Sequence, residues 1–393
     1  MTYDFDTVTD RRGNWSEKWN VAEGELPMWV ADMDFRTAPE IIRAIEKRAA
    51  HGIFGYTFEP AEWADAYVNW WERRHGFRME RDWLVFTTGV IPALSTAVRK
   101  LTTPAEKVAV LTPVYNIFFS TILNNGRVPL EIPLRCDRDG EGRPAYSVDW
   151  EAFESGLADP QTTLLIFCNP HNPIGKIWDA PTLARVGALC EKHGVTVLSD
   201  EIHCDIADPG KGYVPFASVN DCNREISVTC LAPTKAFNLA GMHTAAVMAA
   251  DPFLRHKMWR GLNTDEVGEG GTFAFTAAVA AFTEGGDWLD QMNACVRANK
   301  DRTDAFLASE LPGIRSTASD ATYLMWIETG GIAEDSGAFC DFLRRETGLF
   351  VSPGTWYHGD GKRFFRLNIA CPRVLLEDGL ARLKTGVEKW TER

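Results

Sequence analysis

No stretch of this 393-residue chain reaches 18 consecutive apolar residues, so it lacks the run of about 20 that a membrane-crossing helix needs. Positive charge is also short. The 41 Lys and Arg stand against 54 Asp and Glu, a net charge of −13 at pH 7, which argues against nucleic acid or an anionic membrane as the main partner. The nine cysteines are odd in number and never fall in a CxxC pair, so neither a disulfide framework nor a zinc site is indicated, and no metal is expected. The opening "MTYDFDTVTDRRGNW" lacks the basic-then-apolar pattern of a secretory leader. With the unpaired cysteines, that points to a reduced cytoplasmic setting. There is no repeat of fixed period and no low-complexity segment. What is present is ordinary for a globular chain: 45% hydrophobic and 24% charged residues, long enough for roughly two or three structural units.

The first 40 residues are aromatic-rich and short of long periodic runs. In "LPMWVADMDFRTAPE", Thr37 and Pro39 read as an N-cap and an early proline ahead of a helix from about Glu40 to Ala50. Glu62 to His75 has helical spacing, with Trp63, Tyr67, Trp70 and Trp71 expected to serve packing. From residue 83 strands and helices alternate, the signature of a mostly parallel sheet covered by helices. Seven strands are predicted: Trp83–Thr87, Lys107–Leu111, Arg127–Glu131, Thr162–Cys168, Val195–Ser199, Glu225–Cys230 and Thr244–Ala250. Helices are predicted over Pro92–Leu101, Tyr115–Asn124 and Thr182–His193. A long helix over 287–310 leads into strands at Thr322–Ile327 and Arg363–Ile369 and helices at Glu334–Thr347 and Val374–Trp390. The expected organisation is a large α/β unit, 45–286, and a smaller α+β unit made of 1–44 and 287–393.

In open α/β sheets, ligands bind beyond the carboxyl ends of the strands, so the residues following each strand carry the functional reading. "TGVIPAL" places Gly89 and Val90 at a helix N-terminus, where free amides favour phosphate, although a simple strand–turn–helix is the better account of this motif taken alone. "TPVYNIF" places Tyr115 where it can stack on a flat ring, although a helix-capping aromatic is an equal account. "NPHNPIGK" holds two Asn-Pro pairs in a fixed turn that can aim Asn172. Asp200 follows an apolar strand directly, where a carboxylate needs a cationic partner, the alternative being an N-cap. A histidine three residues on, His203, is ordinarily a satisfied structural residue, but here it could reach the same pocket. Lys235 stands in "APTKAFNLAG" at the mouth of the sheet, where partial desolvation would free its amine for imine formation. Arg366 lies amid Phe364, Phe365, Leu367 and Ile369 and needs an anion, either a ligand carboxylate or a structural salt bridge.

Asn172 in "NPHNPIG", Asp200 in "SDEIH", Lys235 in "TKAFNLAG" and Arg366 in "FFRLN", in this order along nearly the whole chain, resemble the class I/II pyridoxal 5'-phosphate (PLP) enzymes of the aspartate-aminotransferase fold, PLP fold type I. Within them "KWN", "LPMWVADMDF", "TGVIPALS", "PVYNIFF", "CNPHNPIGKIW" and "DEIHCD" look like the PatB/MalY-type C–S lyases. The resemblance implies that Lys235 holds PLP and then acts as the base at Cα. It implies that Asp200 keeps the ring nitrogen protonated, Asn172 bonds the ring phenolate oxygen and Tyr115 stacks on the ring. Gly89, Val90 and Thr234 would cradle the phosphate, helped by Tyr56 from a second subunit. Arg366 would clamp the carboxylate of a small amino-acid substrate, with backbone near Trp29 and Val30 closing the site. A shared site implies a homodimer. Two positions depart from the wider class: His203 stands where tyrosine is frequent, and His243 where an arginine often grips the phosphate.

The resulting expectation is a carbon–sulfur β-lyase that cleaves L-cystathionine or L-cysteine-type substrates to a thiol or sulfide, pyruvate and ammonia. The alternative is an aminotransferase, since the same Lys, Asp, Asn and Arg serve both reactions. A PLP-binding regulatory protein without turnover is disfavoured by the complete set of catalytic residue types and by the absence of a DNA-binding appendage.

Overall fold

A computed structural model describes residues 2–393. Seven strands form one sheet, in the spatial order Leu84–Thr87, Ala245–Met248, Ser227–Leu231, Thr196–Asp200, Thr162–Cys168, Lys107–Thr112, Val128–Pro133. All neighbours pair in parallel except Ala245–Met248, which runs antiparallel to both of its neighbours. Apart from half-buried Thr163, the central strands Thr162–Cys168 and Ser227–Leu231 are buried throughout, as expected of a parallel sheet covered on both faces. Side-chain alternation divides them between two cores. Val108, Val110, Leu164, Ile166, Leu198 and Val228 pack with the helix Val90–Leu101. Ala109, Leu111, Leu165, Phe167 and Val197 pack with the helix Ala180–His193.

A second, antiparallel sheet has the order Arg315–Ser316, Leu324–Glu328, Phe364–Asn368, Ser352–Pro353. The helices Ser336–Thr347 and Arg373–Thr391 pack beside it, and the 25-residue helix Gly286–Glu310 leads into it. The N-terminal segment joins this unit through a short parallel pairing of Leu26–Pro27 with Leu349–Phe350. Trp63, Tyr67, Trp70 and Trp71 are fully buried core residues, as their spacing predicts.

Local chemistry sets the boundaries and moves some predicted ones. Asp149, Asp179, Asp251 and Asp335 cap their helices through side-chain oxygens, and Gly76, Gly194 and Gly348 close helices in the left-handed conformation. Asp179 therefore starts its helix at Ala180, two residues before Thr182. Thr37 is not an N-cap: the helix starts at Pro39 after Ala38, and the Thr37 hydroxyl is buried without a partner. The helix predicted from Tyr115 begins at Ile117, leaving Tyr115 in the turn before it. There the Val114 N–H donates to the Tyr357 carbonyl. The helix predicted from Pro92 begins earlier, at Val90.

The N-terminal segment is fastened by charge. Asp34 accepts from Lys18 Nζ at 2.7 Å, Arg11 Nη1 at 2.9 Å and Trp19 Nε1 at 2.7 Å. Lys18 and Asp34 are both buried. Burial pushes the Asp34 carboxyl up, but these three donors outweigh it and hold the carboxyl below its ordinary range. Replacing Asp34 by Ala removes the nearest counter-charge of buried Lys18, leaving it only the Asp32 carboxylate at 3.8 Å, and is expected to cost about 3–5 kcal/mol. Denaturant unfolding monitored by tryptophan fluorescence measures this, and an unchanged midpoint would contradict it.

Candidate active site

The parallel strands set the site's frame. Cys168, Asp200 and Cys230 lie side by side in register, so the turn holding Asn172, the end of the Asp200 strand and the loop holding Lys235 leave the sheet together. Both Asn-Pro peptides of "NPHNP" are cis. Arg366 comes from the second sheet, opposite Trp326 and Ser352.

Arg366 is 4% exposed. Its Nη2 donates to the Trp29 carbonyl at 2.8 Å and its Nη1 to Asn172 Oδ1 at 3.1 Å, while Nε is buried without a partner. Its guanidinium carbon lies 5.0 Å from the centre of the Tyr357 ring. No ion pair to Arg366 occurs among the described residues, so the structural salt bridge weighed from sequence is not what holds this charge. A buried guanidinium lacking a counter-ion is costly unless a ligand supplies one.

Lys235 is partly buried, and its Nζ donates to the Ala31 carbonyl at 2.5 Å. Burial lowers its pKa to about 8, with Asp32 and Asp200 opposing the shift and Arg366 reinforcing it. Asp200 accepts from the Ile202 N–H at 3.2 Å, and burial raises its carboxyl to about 6. It is not an N-cap, because no helix follows it. His203 is buried, its Nδ1 has no partner, and its pKa is pushed down to about 3, first by burial and then by Lys235 and Arg366. The imidazole is neutral. Tyr115 sits half-buried in the turn, its phenol raised to about 12 chiefly by burial.

The helix behind Gly89 and Val90 has no side-chain cap, so its first amides are available to an anion. Thr234 is buried just before Lys235. Tyr56 is fully exposed and does not join these groups within the single chain. His243 is exposed as well, in the left-handed conformation.

The backbone near Trp29 and Val30 was expected to close the site; the side chains that hold it there were not foreseen. Each carbonyl from Trp29 to Met33 accepts a side-chain donor. Ser352 joins Arg366 on Trp29, Asn368 Nδ2 takes Val30 and Asp32, and the Tyr323 hydroxyl joins Lys235 on Ala31. Arg11 and Asn238 take Met33. Asn368 was findable, because it lies two residues after Arg366 and so on the same strand face. Tyr323 carried no local signal.

A profile of the family described as "Aminotransferase class I and II" matches residues 20–383. The chain is 40% identical to cystathionine beta-lyase PatB of Bacillus subtilis, over 98% of this chain and 99% of that protein. It is 30% identical to protein MalY of Escherichia coli, over 97% and 98%. Among solved structures it is similar to cystalysin of Treponema denticola, which contains a pyridoxal 5'-phosphate cofactor. That match has a TM-score of 0.94 and 29% identity, and covers 99% of this chain and 100% of the other.

The lowered Lys235 pKa has a kinetic consequence. Only the neutral amine attacks an aldehyde, so capture of a reactive aldehyde by the cofactor-free protein should accelerate with pH up to about 8 and level off above it. Stopped-flow absorbance measures this. A rate still climbing toward the ordinary lysine range would contradict the burial assigned to Lys235.

Proposed function

The chain belongs to the class I and II aminotransferase family, and within it we propose that it is a PLP-dependent carbon–sulfur β-lyase. The substrates proposed are L-cystathionine and L-cysteine-type amino acids, cleaved to a thiol or sulfide, pyruvate and ammonia. The observation that carries this reading is the convergence of Lys235 and Arg366 on carbonyls two residues apart in one segment, Ala31 and Trp29, an amine freed by burial and a guanidinium without a counter-ion. The cystathionine β-lyase at 40% identity over nearly the full chain supports the choice of chemistry.

The residues present fit PLP. Asp200 lacks a cation, the helix N-terminus at Gly89 and Val90 lacks a cap, and Lys235 is poised for an aldehyde. In this reading Lys235 holds the cofactor, Asp200 keeps a proton on its ring nitrogen, Asn172 donates to its ring oxygen and Tyr115 stacks on its face. Gly89, Val90 and Thr234 hold the phosphate. When bound, PLP supplies an electron sink for the charge left at Cα.

The chain's own groups do the rest. Arg366 fixes the substrate carboxylate, and the Trp29–Met33 segment covers the site against water. The Lys235 amine then lies free to take the Cα proton. Neutral His203 would leave the charge balance at the ring nitrogen to Asp200. With His243 exposed, the phosphate falls to the helix amides and Thr234.

We further propose a homodimer with shared sites. The segment 52–60 is irregular and presents Ile53, Phe54, Tyr56 and Phe58 to solvent. That apolar exposure suits a subunit interface, across which Tyr56 would reach the phosphate of the other site. Residues 45–286 would carry the cofactor, with 1–44 and 287–393 closing over it. A cytoplasmic location fits nine unpaired cysteines, and no helix among the described residues is long and apolar enough to cross a membrane.

Incubation with L-cystathionine should release pyruvate, ammonia and thiol in equal amounts without any added 2-oxo acid. Lys235→Ala should lower the rate by at least about 10²–10⁴-fold, the usual share of a positioned proton-transfer group. Product that appears only when a 2-oxo acid is supplied would make the protein an aminotransferase instead. For the dimer, mixing Tyr56→Ala and Lys235→Ala proteins under subunit exchange should restore activity that neither has alone. No recovery in a verified mixed dimer would place Tyr56 outside the partner's site.

A further inference from the structure

The turn that follows Asp200 continues into Cys204 and Asp205, which meet the end of the helix Ala61–His75 away from the residues described above. A ring nitrogen of His75, Cys204 Sγ and a carboxylate oxygen of Asp205 all lie within 4.8 Å of one another. The side chains of His75 and Asp205 are 8% and 3% exposed, and Cys204 is buried. Asp205 Oδ1 hydrogen-bonds Trp70 Nε1 at 2.9 Å and His75 Nε2 at 3.0 Å.

Two acceptors of this cluster are left over. Asp205 Oδ2 is buried without a partner. So is Asn293 Oδ1, although Asn293 Nδ2 donates to the Asp205 carbonyl at 2.9 Å. A buried acceptor without a donor costs free energy, and a cation would satisfy it. The cluster borders a cleft of about 440 Å³, also lined by Arg74, Asp208, Lys211 and Asp290, which offers an entry path.

We propose that His75, Cys204 and Asp205 form a binding site for a thiophilic divalent cation of the zinc class, with a fourth position open to water from the cleft. Imidazole, thiolate and carboxylate are the zinc donor set. Bonds of about 2.0–2.3 Å place tetrahedral ligands roughly 3.4–3.7 Å apart, a spacing that small side-chain rotations reach from the present arrangement. The ion takes the place of the thiol proton of Cys204, which leaves on binding, while the imidazole of His75 binds as the neutral tautomer with its one ring proton on the nitrogen facing away from the ion. The Trp70 and Asn293 contacts then orient Asp205 from outside the coordination sphere. The ion would tie the helix Ala61–His75 to the turn that follows Asp200. It takes no part in the lyase reading and stands or falls independently of it.

The test uses the PLP-loaded protein, stripped with a chelator, incubated with Zn²⁺, desalted and analysed for metal. One equivalent of zinc per chain should be retained, and Co²⁺ should give the visible d–d bands of a tetrahedral thiolate site, clear of the cofactor's absorption. Cys204→Ser and His75→Gln should each weaken zinc binding at least about tenfold. Zinc should also raise the melting temperature of the parent and not of the variants. No stoichiometric retention, or retention unchanged by Cys204→Ser, overturns the proposal. Should the variants fail to fold, absence of the cobalt bands in the unmodified protein overturns it equally.

Discussion

The segment from Trp29 to Phe35 is the constraint on which the site depends. It has little regular structure, yet its carbonyls are claimed in turn by Arg366, Asn368, Lys235, Lys18, Arg11 and Asn238. Asp34 pins it from below, through the Lys18, Arg11 and Trp19 contacts and through its own N–H to the Ala370 carbonyl. Arg366 comes from the small sheet and Lys235 from the large one, and this segment is where their hydrogen bonds meet. The distance between the reactive amine and the carboxylate-seeking guanidinium is therefore fixed by backbone, the least adjustable part of the chain. In the proposed reading, a substrate held at Arg366 would be presented to Lys235 without further search, which is how positioning lowers a barrier.

Burial is the second organising effect, and it acts on Lys235, Asp200 and His203 for one reason: the charged form of each is disfavoured away from water. Lys235 is moved toward the free amine and His203 toward neutrality, while Asp200 is raised to about 6. The raised Asp200 shows how little the protein itself does to stabilise that charge; one backbone N–H is its hydrogen-bond donor. A protonated ring nitrogen would reverse the shift. Arg366 makes the same point with the opposite sign, as a cation with hydrogen bonds but no counter-ion. The site is built with demands that its ligands meet.

Much of this was legible in the sequence. The central strands are buried apolar runs bounded by turn residues, the edge strand Val128–Pro133 is largely exposed, and each of the seven was located to within a few positions. Lys235, Asp200, Asn172 and Arg366 stand out because a charged or amide side chain directly after, or inside, an apolar strand needs a stated partner. What the sequence did not disclose depends on tertiary contact. Carbonyls look alike in a sequence, so nothing marked Ala31 as the acceptor for Lys235. Tyr323 and Tyr357 lie far along the chain from the groups they touch. Thr37 had the right chemistry for a cap, but the cap position fell one residue later, on Ala38, and the Thr37 hydroxyl was left buried.

The central claim is that Arg366 is an unpaired buried cation awaiting a substrate carboxylate. The most direct measurement compares kcat/KM for S-methyl-L-cysteine and for its carboxamide, in the parent and in Arg366→Ala. The account predicts that the parent prefers the carboxylate by about 10⁴-fold, the discrimination typical of a site built around a buried polar group, and that the variant loses most of that preference. Equal efficiency on both substrates in the parent would contradict it.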